Sequence, residues 1–402
     1  MKKQTQTNKE NTSKRQVSLR VLLISSLLSV LLGVGLSASI FFLRLDKDAR
    51  SMLQVVNIIR SQYVGDYDWH EIADGSMDYM VSSLGDRWSY FLRADEYQHV
   101  LESRKNSYIG IGITVSRGTA TGIEILNITP NSPAERAGML VGDWIVAVDG
   151  VTVTEQNWRS RVEAIAGEEG SVVKLEVKSP SGSLNTMDIT REKIVSIPVV
   201  DEMLPNHVGY VKIRNFYSGS GSAMIAAVDD LVQQGATSLV FDLRNNPGGY
   251  VTELTKMLDH LLPEGVIFQS RTLEGEEQVY TSDASMVDLP IAVLVNKDSY
   301  SAAEFFAAEL RESAGAYISG ELTSGKGFAQ QLFPLRNGSA IGLSTSRYFT
   351  GKGVSLIGTG VKPDAQLSLS EEQQRLYAQE KLSHEEDGQL QAALSGINAL
   401  KK

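Results

Sequence analysis

Apolar positions along this chain fall into four successive patterns. The first is an unbroken run, residues 21–43, with no charge between Arg20 and Arg44. Its 23 residues are about the length that crosses a bilayer as a helix. The second has helical spacing. Met52, Val55, Val56, Ile58 and Ile59 predict a helix over 48–62, and Ile72, Met77, Met80 and Val81 one over 69–83. Residues 84–90 read as a turn and 96–103 as a short helix. The third pattern, from Tyr108, is short strands at 109–115, 123–128 and 172–177, with a helix near 155–166 and turn-rich stretches at 130–139 and 179–182. The fourth alternates apolar strands at 208–213, 238–243 and 291–295 with amphipathic helices at 222–234, 250–262 and 301–312. That alternation implies an α/β core. Residues 328–334 read as a strand, and a charged, Gln-rich tail is helical over 371–381 and 387–400.

These shifts divide the chain into a basic tail (1–20), an apolar span (21–43), a helical segment (45–104), a strand-rich module (105–190), an α/β core (191–370) and a helical C-terminal segment (371–402). Residues 1–20 hold six Lys or Arg against Glu10 alone, so the positive-inside rule places 44–402 outside the cytoplasm behind a single-pass anchor. A cleaved signal peptide is the competing reading, because Ser37, Ala38 and Ser39 are small. The apolar run is longer than a signal core, which favours the anchor.

Charge and composition exclude several functions. A net charge of −10 argues against nucleic-acid binding. The chain lacks cysteine, so thiolate catalysis, disulfides and Cys-ligated zinc are excluded. Five scattered histidines, without an HExxH pair, point to no metal site. No cofactor is implied.

Two short stretches could carry chemistry. Ser301 follows an apolar strand and opens a helix, where free amides favour an oxyanion; the same position suits a plain N-cap. Lys326 lies in Gly325-Lys326-Gly327. It could serve as a base only if its amine were neutral, and a solvated loop lysine is the alternative. Residues 320–326 also fit G-x-x-x-x-G-K, but Gly327 replaces the Ser or Thr of a phosphate loop, and a strand follows instead of a helix. Gly248 and Gly249 end a polar loop after a strand. Their amides could face a cleft as oxyanion donors, or the pair could simply supply a turn.

Together these segments resemble the carboxyl-terminal processing proteases, the tail-specific or S41 serine peptidases. The resemblance runs through six blocks in order: Leu84 to Ser89; the Gly-Ile-Gly-Ile loop with Ser132-Pro133-Ala134 and Gly142-Asp143; Asp242-Leu243-Arg244 to Gly249; Ser299-Tyr300-Ser301-Ala302-Ala303-Glu304; Gly325-Lys326-Gly327 to Gln330; and Gly358 to Asp364. It implies an S41 core of the ClpP/crotonase-like type with an inserted PDZ domain at 105–190. Ser301 and Lys326, 25 residues apart, are then nucleophile and base, and Gln330 orients the lysine. The resemblance also implies that backbone amides of Ala302 and Gly248 or Gly249 would form the oxyanion hole. Ile109, Gly110, Ile111, Gly112 and Ile113 would receive a substrate's apolar C-terminus as an added strand. Tyr300 and Ala303 depart from the Ser/Ala-rich nucleophile stretch, and Ala166-Gly167 stands where some relatives carry Arg-Gly. Family analogy and the helical ends, 45–104 and 371–402, suggest that these ends pack together or form a homodimer. A tethered PDZ scaffold with a dead protease-like domain is the rival function.

Overall fold

The computed structural model describes residues 23–24, 26–34 and 46–400. Most of the expected 21–43 span lies outside these residues, as does the basic tail. Residues 23–24 and 26–34 are helical and exposed, and among the described residues no helix is long and apolar enough to cross a membrane. The chain divides into two compact units, 1–72 and 73–402. In the first, the Lys47–Gln62 helix is capped by Asp46, whose carboxylate accepts from the Ala49 amide. It buries none of its residues.

The second unit is built on a six-stranded sheet ordered Val199–Leu204, Val208–Ile213, Ser238–Asp242, Ile291–Val295, Tyr317–Gly320, Ala365–Gln366. Its first pair is antiparallel and the others parallel. Every residue of Ser238–Asp242 and Ile291–Val295 is buried. Both are near-continuous apolar runs because helices cover both faces of a parallel sheet. Helices Ser220–Gln233, Val251–Leu261 and Ala302–Ala314 contribute to the core on one face, through Met224, Leu231, Leu258, Phe305 and Phe306. On the other, Leu390, Ala393 and Ile397 of the Gly388–Leu400 helix pack on Tyr210, Val240, Ala292 and Leu294. The C-terminal segment is therefore part of the core.

A second, antiparallel sheet joins Tyr90–Leu92, Ala340–Thr350, Gly265–Thr272 and Glu277–Ser282, with Phe328–Pro334 also paired to Ala340–Thr350. Only Phe328–Pro334 was legible in the apolar pattern. The other strands mix buried and exposed positions without clean alternation, so their period-2 signal is weak.

The strand-rich module hangs from the core by an antiparallel ribbon, Ser107–Gly110 paired with Glu192–Val195. Within it, a sheet runs Ile113–Val115, Ile123–Ile128, Trp144–Val148, Val172–Lys178, Leu184–Thr190. The strand expected over 109–115 is broken at Ile111-Gly112, where Gly112 has φ 84° and an added Cβ would sit 2.2 Å from Ser132 Cβ. That turn ends the ribbon and starts Ile113–Val115 as an edge strand. Arg191, on the path back to the ribbon, reaches the C-terminal end of the Trp158–Ile165 helix. It donates to the carbonyls of Ile165 and Ala164 and to Ser171 Oγ.

Candidate active site

Ser301 sits at the N-cap of the Ala302–Ala314 helix, 8% exposed, with φ 59° and ψ −126°. Few residues other than glycine adopt that conformation, and a non-glycine residue there stores strain of about 1–3 kcal/mol. Neighbours hold it in place. The Tyr300 N–H donates to Asn246 O, and Ser299 Oγ donates to Leu243 O. The Asn245 backbone N–H donates to Asn296 Oδ1, and Asn296 Nδ2 donates to Asn245 Oδ1. The Ser301 loop is thus stitched to the loop that follows the Ser238–Asp242 strand.

Glu304 completes the cap. It is fully buried, and its carboxylate accepts from four donors. Oε2 takes the Ser301 N–H at 3.0 Å and the Lys326 N–H at 2.8 Å, while Oε1 takes the Gly325 N–H at 2.7 Å and the Thr323 hydroxyl. Burial pushes its carboxyl up, and these donors oppose that rise. One carboxylate therefore ties the backbone at Ser301 to the backbone at Lys326. In the sequence Glu304 stands out only as the S-x-x-E of a helix start, the capping-box pattern.

The Lys326 amine lies 4.9 Å from the centroid of Trp88 and 5.3 Å from that of Tyr300. Burial, with Arg104 adding to it, lowers its pKa from 10.5 to about 8, against the pull of Glu304 and Asp86. Among the described residues it makes no hydrogen bond to Ser301 or Gln330. Gln330 lies on the Phe328–Pro334 strand, and its amide donates to Phe328 O and Ser344 Oγ. The expected Gln330–Lys326 hydrogen bond is not made in this arrangement, in which the Gln330 amide group bonds within the antiparallel sheet. Asp86, Trp88 and Arg104 border the lysine, and local sequence gave no sign of that.

Of the expected oxyanion donors, Gly248 is otherwise engaged. Its N–H donates to Asn246 Oδ1 at 2.8 Å, because Asn246 is buried and turned inward by its own bond to Ile213 O. Gly248 is still required as glycine: φ is 81°, and a Cβ would lie 2.7 Å from Tyr300 O. Among the described residues, the N–H groups of Gly249 and Ala302 have no acceptor. The latter is the first amide of the Ala302–Ala314 helix, at the positive end of its dipole.

The expected peptide-binding residues separate into two groups. Ile109 and Gly110 stand on the ribbon, opposite Lys193 and Glu192. Strand pairing commits their backbones to that ribbon. The Ile111 and Gly112 amides have no acceptor among the described residues, and Ile113 opens the free edge strand. Trp158 and Val162 of the nearby helix, with Ile113 and Val115, are partly buried against the module's core.

Known proteins share both parts of this architecture. The profile of Peptidase family S41 matches residues 207–367, and that of a PDZ domain matches 124–179. The carboxy-terminal processing protease CtpA of Bacillus subtilis is 32% identical over 77% of this chain and 67% of its own length. A carboxyl-terminal-processing protease of Picosynechococcus is 31% identical over 71% of this chain and 70% of its own. The solved photosystem II D1 C-terminal processing protease superposes with a TM-score of 0.50 at 28% identity, covering 79% of this chain and 86% of that one. With its S41 core, its PDZ domain and these relatives, the chain belongs to the carboxyl-terminal processing proteases and is a serine protease.

Proposed function

We propose that this protease is a single-pass membrane protein that cleaves peptide bonds outside the cytoplasm with a Ser301–Lys326 pair. The observation that carries this reading is the Glu304 carboxylate, which holds the backbones of both residues in one clamp. Neutral Lys326 takes the Ser301 hydroxyl proton as Ser301 Oγ attacks the scissile carbonyl. The amides of Ala302 and Gly249 receive the oxyanion. Lys326 then returns the proton to the leaving amine, and water releases the acyl group from Ser301. Gln330 orients the lysine when its Oε1 accepts from the Lys326 amine.

The PDZ domain receives the substrate's C-terminus. The carboxylate meets the unpaired Ile111 and Gly112 amides, the peptide adds to the edge strand, and its apolar side chains face Trp158 and Val162. Full-length protein digesting an unstructured polypeptide with a free apolar C-terminus tests both parts. Cleavage should slow about tenfold when that C-terminus is amidated, the scale of one lost charge-assisted contact. No cleavage at all would sink the protease site, and equal rates would sink the PDZ role.

The uncharged 21–43 run and its basic flank support the anchor. The Lys47–Gln62 helix leaves Met52, Val55 and Ile58 exposed, which suits pairing with a second copy. External protease should digest residues 44–402 in intact cells, and Val55→Asp should shift the sedimenting species from dimer to monomer. Protection, or a wild-type monomer, would overturn the respective claim.

A further inference from the structure

The Lys326 amine has unusual company for a base. It stands over two ring faces, and among the described residues it makes no ion pair within 4 Å. Trp88 and Tyr300 stand side by side, centroids 6.1 Å apart and planes tilted by 32°, with the amine within about 5 Å of both. Each ring is fixed from a different element. Trp88 belongs to the 86–89 turn, where its N–H donates to Asp86 Oδ1 and the Arg87 guanidinium lies 4.3 Å from its ring. Arg87 in turn donates to Ser324 O, two residues before the lysine. Tyr300 immediately precedes the nucleophile and is tethered to Asn246 O. One ring therefore moves with the lysine loop and the other with Ser301.

An aromatic face attracts an ammonium and has little hold on a neutral amine. We propose that Trp88 and Tyr300 are positioning residues that hold protonated Lys326 beside Ser301 and release it on deprotonation. Only the neutral amine then swings to the Ser301 hydroxyl, so the form that leaves the rings is the form that can accept a proton. The other charges facing the amine do not substitute for the rings. Arg104, at the end of the Ala94–Ser103 helix, repels it, and Arg87 is spent on Trp88 and Ser324. Asp86 and Glu304 attract it, but Asp86 is engaged by Ser89 Oγ and the Trp88 N–H, and Glu304 by its four donors.

The inference rests on Lys326 being the base, and the test separates the two. In full-length protein, the Cε resonance of Lys326 is assigned with Lys326→Arg and titrated by NMR, without reference to catalysis. Trp88→Leu and Tyr300→Leu keep apolar bulk and remove the ring. Each should lower the midpoint by about half a unit, and Trp88→Phe should restore it. At pH 7 each Leu variant should then show about threefold higher kcat/KM, because more lysine is neutral. If fluorinated tryptophan, which keeps the shape and weakens the face, leaves the midpoint unchanged, the clamp is refuted. A rise in both Leu variants refutes it too, since the rings would then act only by excluding water. Full activity in Lys326→Ala would instead overturn the base assignment, whatever the titration shows.

Discussion

Ser301→Ala and Lys326→Ala are each expected to lower kcat by roughly 10⁴-fold or more, and the double variant to be no worse than either single one. Nucleophile and base act as a unit, so the second deletion removes nothing that the first has left working. The size of the lysine effect follows from its pKa. At its ordinary value of 10.5, about one amine in three thousand is neutral at pH 7; at about 8, roughly one in ten is. For the wild type, kcat/KM should rise about tenfold per pH unit up to an inflection near 8 and then level off. A profile flat from pH 6 to 9, or full activity in either alanine variant, would reject the pair. Ser301→Gly supplies a second, independent readout. It should be as inactive as the alanine variant yet more stable by about 1 kcal/mol, because glycine adopts φ 59°, ψ −126° without strain. A stability loss would show that the backbone there is relaxed with serine present.

Glu304→Gln is expected to damage both the fold and the rate, although the two side chains are nearly isosteric. Four donors converge on the carboxylate, two on each oxygen. An amide keeps one acceptor oxygen and turns its NH₂ toward the other two donors. Leaving buried donors unpaired costs about 1–3 kcal/mol, which thermal unfolding would register. The rate should fall by about 10²-fold in kcat with little change in KM, because the Ser301 and Lys326 backbones lose their common anchor and small misplacements are costly. Unchanged stability and rate together would mean that the helix start and the 323–326 loop are held by other contacts. A rate loss with a matching rise in KM would place Glu304 in substrate binding instead.

The α/β core was legible because Val208–Ile213, Ser238–Asp242 and Ile291–Val295 are short, predominantly apolar runs, as strands covered on both faces tend to be. Ser301 and Lys326 were legible through spacing and neighbouring motifs, since each alone reads as an N-cap or a loop lysine. The antiparallel sheet carrying Gln330 was not, because its strands are partly exposed and pair across long stretches of chain, Tyr90–Leu92 with residues 340–342 among them. Sequence by itself determined the residue types: a serine opening a helix, a lysine between glycines, glycines where φ must be positive. Only the tertiary structure decided which groups meet. It turned the Gly248 amide to Asn246, left the Gly249 and Ala302 amides without acceptors among the described residues, and brought Glu304 onto the backbones of both Ser301 and Lys326. It also placed Trp88, from far along the chain, against the Lys326 amine. Such choices depend on burial and on competition between donors for acceptors, and both exist only once distant segments are packed together.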